Sequence, residues 1–279
     1  MMNLIFYFLN VMCSAGQSTL GKLYARRGGA SLPFNINKAA IGTLLFLVLG
    51  LINGFSLHLH TALFGIGYGI FLCISMHTGF KALSMGPMAL TSILASFSLI
   101  IPFLFGILFW NEALTLFKIL GILLLLLSIL FINLKKETGF STKWFFYAVI
   151  TMIANGICSV IQKTHQTCFP ALYQTEFMFW ALLCVSIILL ATHTVNTNHN
   201  TPLRFSLLGI AAGIANCLAN YIVLYLSATE NASVLFPIIS ISNIITVWMI
   251  GIVLFKEKLR FLQVIGLMTG VLSVVLLKS

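Results

Sequence analysis

Aspartate is absent from the 279-residue chain, and its five acidic residues are all glutamate. Charged residues of both signs together make up 7% of the sequence, against 60% hydrophobic residues. A water-exposed surface normally needs about 25% charged residues, so a soluble globule is excluded. The missing aspartate also excludes an intramembrane aspartyl protease and removes the usual protein ligand for magnesium. The stretch GQSTLGKL, Gly16 to Leu23, nearly spells a phosphate-binding loop. It ends in Leu23 where that loop needs Ser or Thr, and no strand precedes it. No HExxH, GxSxG or CxxC pattern occurs. No catalytic residue, metal site or cofactor is therefore expected, and the chain reads as neither an enzyme nor an ATP-driven pump. The six cysteines lie mostly within apolar runs and read as small packing residues.

Present instead are long apolar runs. A membrane-spanning helix needs about 20 apolar residues, and the chain divides into ten such stretches. Their expected bounds are 3–24, 33–53, 61–81, 88–110, 114–134, 144–166, 172–193, 204–226, 231–254 and 260–277. Short polar, Gly or Pro segments separate them, none long enough for a soluble domain. The first stretch lacks a basic leader and is expected to be a retained helix rather than a cleaved signal. The expected class is an all-α, multi-pass integral membrane protein, placed in a bacterial inner membrane.

The two halves echo each other. GILFWNEALTLFKILG (Gly106 to Gly121) and GIVLFKEKLRFLQVIG (Gly251 to Gly266) share Gly, Ile, Glu, Leu and Gly at an offset of 145. Five matches in sixteen exceed the roughly one or two that a biased composition gives. Two five-helix repeats, 1–137 and 138–279, follow. Because five is odd, the second repeat should enter the membrane from the opposite side, giving the inverted-topology duplication of many secondary transporters. Glu112 and Glu257 then fall on opposite faces, each in a short loop, as structural loop acids favoured by the N-terminus of the next helix.

The net charge of +10 could suggest a nucleic-acid partner, but the basic residues are scattered among short loops. Lys22, Arg26, Arg27, Lys38, Lys81, Lys135, Lys136, Lys143, Arg204, Lys256, Lys258 and Arg260 fall on one side. Lys118, Lys163 and Lys278 fall on the other. The positive-inside rule places the first group in the cytoplasm and both termini outside it. No nucleic acid is expected; the partners are the lipid bilayer and a small-molecule substrate.

Polar residues at membrane depth must find a partner or line a wet cavity. Asn10, Gln17, Tyr68 and His77 do so in the first half, and Asn155, Gln162, Asn216, Asn220, Tyr221 and Asn243 in the second, with Trp248 nearby. These, apart from Asn10, are the substrate-cavity candidates, and Asn216 and Asn220 share one helix face. No carboxylate lies mid-span; Glu176 and Glu230 sit near helix starts. His77 is the one mid-span group that titrates near neutrality, which leaves proton coupling open and the coupling ion unassigned. Four GxxxG spacings, Gly50/Gly54, Gly65/Gly69, Gly209/Gly213 and Gly266/Gly270, are expected to serve close helix packing.

The pattern ALSMGPMALTSILAS, a following proline, then GILFWNEALTLFKILGILLLLLSI resembles the drug/metabolite transporter superfamily in its ten-helix, EamA-type branch. Ala82, Gly86, Pro87, Pro102, Glu112, Leu114 and Gly121 carry the resemblance in the first half, and Glu257, Leu259 and Gly266 in the second. Asn111 and Lys256 stand where that family commonly has glycine before the glutamate, and Pro102 and Pro237 do not align at the repeat offset. The resemblance implies a secondary carrier, mostly an exporter of amino acids or other small metabolites. Its cavity should lie between helices 1, 3, 4, 6, 8 and 9. A broad-specificity exporter of lipophilic compounds and a non-transporting scaffold are the alternatives.

Overall fold

The computed structural model describes residues 2–109, 115–133, 141–169, 172–195, 206–229, 232–256 and 261–278. Every regular element among them is helical. In chain order these are α1 (Met2–Arg26), α2 (Ser31–Ile52), α3 (Leu59–Met85), α4 (Met88–Ser96), a single 3-10 turn (Phe97–Leu99), α5 (Ile100–Phe109) and α6 (Leu116–Asn133). Then come α7 (Thr142–Cys168), α8 (Gln174–Val195), α9 (Leu207–Thr229), α10 (Ala232–Phe255) and α11 (Phe261–Lys278). Among the described residues four helices, α2, α3, α7 and α8, meet both the length and the hydropathy needed to cross a bilayer. Glu112, Glu230 and Glu257 lie outside the described residues, as does the side chain of Trp248.

The stretch expected as one span over 88–110 is broken. Pro102 has no N–H to give to the Ser98 carbonyl, and its ring crowds that carbonyl. The chain answers with the 3-10 turn over Phe97–Leu99, so two short helices replace one. The break is packed on both sides. A Cβ at Gly156 of α7 would strike Ile101, and one at Gly270 of α11 would lie 3.1 Å from the Phe97 ring.

Outward faces are apolar. Leu59, Leu63, Ile66, Ile70 and Ile74 form an exposed stripe on α3, and Leu207, Ile214, Leu218, Tyr221 and Tyr225 one on α9. Exposed stripes of this kind suit lipid, where the solvent is as apolar as the core.

The packing partners repeat when the halves are exchanged. α3 packs on α7 as α1 packs on α9, and α3 on α8 as α2 on α9. α1 packs on α10 as α4 and α5 pack on α7, while α2 with α8 and α6 with α11 pair directly. The atoms agree. At Gly65 and Gly69 a Cβ would lie 2.9 Å from the Phe177 carbonyl and 2.9 Å from the Cys184 Cβ, respectively, so α3 and α8 touch backbone to backbone. Gly209 and Gly213, 144 residues later, meet the Phe34 carbonyl at 3.3 Å and the Lys38 carbonyl at 2.9 Å on α2. Two of the four GxxxG spacings are thus the same crossing made twice. In the α6–α11 pair, Ser128 Oγ donates to the Gly266 carbonyl and Ser273 Oγ donates to the Gly121 carbonyl. Thr43 of α2 and Ser186 of α8 hydrogen-bond to each other at 3.2 Å.

Contacts between ends fix which helix termini share a face. Lys22 Nζ near the end of α1 donates to the Gly86 carbonyl at 2.7 Å, just past the end of α3. Trp144 at the start of α7 donates from Nε1 to Thr91 Oγ1 at 2.9 Å, and Arg26 reaches the Phe255 carbonyl at the end of α10. At the other face, Thr61 of α3 bonds His165 near the end of α7 at 3.2 Å. Ser56 N–H there donates to Glu176 Oε1 at the start of α8.

Candidate functional site

Carboxamides gather along the seam between α1 and α9. Asn216 Nδ2 donates to Gln17 Oε1 at 2.9 Å, and Asn220 Nδ2 donates to the Asn216 carbonyl at 2.9 Å. Asn10, 1% exposed, donates from Nδ2 to the Ala219 carbonyl at 2.8 Å. An amide both donates and accepts, so this seam offers neutral groups of both kinds inside an apolar bundle. Asn243 of α10 adds a buried Oδ1 without a hydrogen-bond partner among the described residues.

The matching seam, α3 against α7, is polar too. Ser75 Oγ donates to Asn155 Oδ1, Thr78 and Thr151 join their hydroxyls at 2.8 Å, and Cys158 Sγ reaches the Tyr68 carbonyl at 3.6 Å. The two seams are related by sequence. At the offset of 145, Asn10, Cys13, Ser14 and Gln17 coincide with Asn155, Cys158, Ser159 and Gln162. Applying the offset of the glutamate echo to the first helix of each half would have exposed this relation and paired Asn10 with Asn155; Ser75 carries no such signal.

Gln17, Asn216 and Asn220 are brought together, whereas Asn155 lies on the other seam. Gln162 is half-buried on α7. Tyr68 is buried with its ring edge-on to Phe177 at 5.2 Å, within an apolar cluster that includes Phe46, Met178 and Cys217. His77 of α3 has its Nδ1 3.3 Å from Oγ of Ser31, the first residue of α2. It therefore ties α3 to a helix end. Tyr221 belongs to the exposed α9 stripe, a face away from the Asn216 side. Lys38, expected beside a loop, sits two turns inside α2.

The face holding the ends of α1, α3 and α10 is tightly joined. Lys22 is 6% exposed. Its ammonium lies 5.4 Å from the Phe255 ring centre, and the Arg26 guanidinium lies 4.6 Å from it. Cations over an aromatic face are attracted by its quadrupole, and cations at helix C-termini are favoured by the dipole. Both effects act here. α1 consequently packs on α3 and α4, and no comparable packing joins α7 to α9 among the described residues.

At the other face His165, 2% exposed, stacks on Phe177 at 4.7 Å, and His58 stacks on Tyr173 at 4.8 Å. No group of three or more His, Cys, Asp or Glu side chains placed to hold a metal occurs among the described residues.

A family model described as the EamA-like transporter family matches residues 1–134 and 142–279. A solved structure titled only "Crystal structure of protein" superposes with a TM-score of 0.68 at 16% identity, covering 99% of this chain and 96% of that one. At that identity the likeness concerns the fold. A search of curated protein sequences gives no match.

Proposed function

Since the chain belongs to the EamA-like transporter family, we propose that it is a secondary carrier of amino acids or related small metabolites, working outward by alternating access. It is a multi-pass membrane protein of a transporter family; the substrate, direction and mechanism are our reading. We read ten membrane segments, with α4, the 3-10 turn and α5 forming the fourth. Two inverted halves, 1–137 and 138–279, then face each other across an axis in the membrane plane. The exchange-symmetric packing supports this, because α1 ends at the face where α7 begins. The carboxamide seam on α1 and α9 carries the functional reading. Neutral donors and acceptors inside an apolar bundle suit a polar, compact solute better than a lipophile. A broken helix, here α4 and α5 packed on α7, is a recurrent feature of carrier sites.

The asymmetry at the two faces supports a closed state at the Lys22–Arg26–Phe255 junction, with access from the His58 face. By the positive-inside rule the closed face is the cytoplasmic one. Purified protein in proteoliposomes loaded with radiolabelled L-amino acids should exchange or release at least one of them. Folded protein that moves none across a full panel would defeat the reading. Release of lipophilic dyes alone would favour the broad-specificity exporter.

A further inference from the structure

The two asparagines related by the 145-residue offset end in different states. Asn155 Oδ1 accepts from the Ser75 hydroxyl. Between α3 and α9 the offset is 144, as for Gly65/Gly69 and Gly209/Gly213, so the residue in the place of Ser75 is Ala219, which has no hydroxyl and gives only its backbone carbonyl, to Asn10 Nδ2. Asn10 Oδ1 is buried and has no hydrogen-bond partner among the described residues. Turning the amide over would set its oxygen against the Ala219 carbonyl and leave the nitrogen open instead, so an open amide atom remains in either arrangement.

A second open oxygen lies nearby in the fold, Asn243 Oδ1 on α10, the helix packed on α1. One apolar cluster joins Tyr7 to Ile239 and another joins Ala15 to Val247. Asn10 and Asn243 lie between these clusters along the two helices, at one depth. Both open atoms are acceptors. Buried polar atoms are nearly always paired, so the missing partner is a hydrogen-bond donor. Among the described residues the one glutamate is Glu176, at the start of α8, and the two open oxygens are those of neutral amides.

We propose that Asn10 Oδ1 receives an N–H of the transported molecule, and that Ala219, standing where the other half has Ser75, keeps that oxygen open for it. This rests on the carrier reading. Binding then breaks the likeness of the halves at one residue: Asn155 is satisfied by Ser75 of the first half, and Asn10 is left for substrate. Molecules without an N–H, such as fully N-methylated betaines, should bind poorly for lack of a donor.

The test is Ala219→Ser, which supplies the missing hydroxyl. In proteoliposomes the variant should raise KM for the best-transported radiolabelled amino acid about tenfold, the size of one hydrogen bond, with kcat little changed. Its Tm in detergent should be at or above that of the parent protein. The N,N,N-trimethyl derivative of the same amino acid should compete weakly with the parent protein and equally weakly with the variant. An unchanged KM in well-folded Ala219→Ser overturns the proposal while leaving the carrier reading intact. If no amino acid is transported, the carrier reading loses its substrate class. A high-resolution structure in saturating mixed amino acids then decides: a ligand nitrogen at hydrogen-bond distance from Asn10 Oδ1 supports the proposal, and a water alone there overturns it.

Discussion

Glu176 is 7% exposed, yet three effects stabilise its carboxylate. It stands in the first turn of α8, where the helix dipole favours negative charge. Its Oε1 accepts from Ser56 N–H at 3.3 Å and its Oε2 from Thr175 Oγ1 at 2.9 Å. The first effect is legible in the sequence as an acid beside a helix start. The bond to Ser56 is not, because it joins residues 120 apart. Glu176→Gln should therefore destabilise the protein by about 1–2 kcal/mol, read as a lower Tm in detergent. It should also speed proteolysis in the segment 53–58, the part Glu176 holds. Equal proteolysis in the variant would show that the Ser56 bond adds nothing. The amides tell a similar story. Asn216 and Asn220 announce a shared face by their spacing, but that Gln17 meets Asn216 depends on the α1–α9 crossing.

Helix by helix, what matters is which face is narrow. GxxxG spacing is common in a glycine-rich chain and does not say which pair is used. Gly65/Gly69 and Gly209/Gly213 are used, because their missing side chains let backbones of α8 and α2 approach. At Gly69 an added Cβ would meet the Ala181 carbonyl and at Gly213 the Lys38 carbonyl, and backbone cannot swing aside. Gly69→Leu or Gly213→Leu should each cost at least about 3 kcal/mol, seen as loss of monodisperse protein in size-exclusion chromatography. Gly16→Ala is the comparison, since nothing stands within 4 Å of a Cβ there; it should be tolerated. Pro102 illustrates a second element-scale point. Proline visibly marks a disturbance, and its chemistry places that disturbance on the preceding turn, where Phe97–Leu99 form the 3-10 turn. Whether the helix breaks or merely bends depends on neighbours, and here Gly156 and Gly270 make room.

For the whole molecule, the consequential feature is the difference between the faces. Lys22 and Arg26 hold the ends of α3 and α10 on one side, and α7 lacks an equivalent grip on α9 among the described residues. If transport requires this junction to part, a bond across it should stop transport. Arg26→Cys with Phe255→Cys, in a background without the native cysteines, should lose transport on mild oxidation and regain it on reduction. A membrane-impermeant thiol reagent added outside cells should fail to reach Arg26→Cys alone. Transport unaffected by the cross-link would refute the gate, and ready external labelling would reverse the orientation. By itself the sequence determined the all-α membrane class, the family resemblance and the duplication, because hydropathy, short loops and the 145-residue echo are local or periodic signals. Only the tertiary structure decided which glycines touch, that His77 of α3 meets the first residue of α2, and that Asn10 Oδ1 lacks a hydrogen-bond partner among the described residues where Asn155 accepts from Ser75. Those outcomes depend on which helices cross and at what height, and no single helix carries that information.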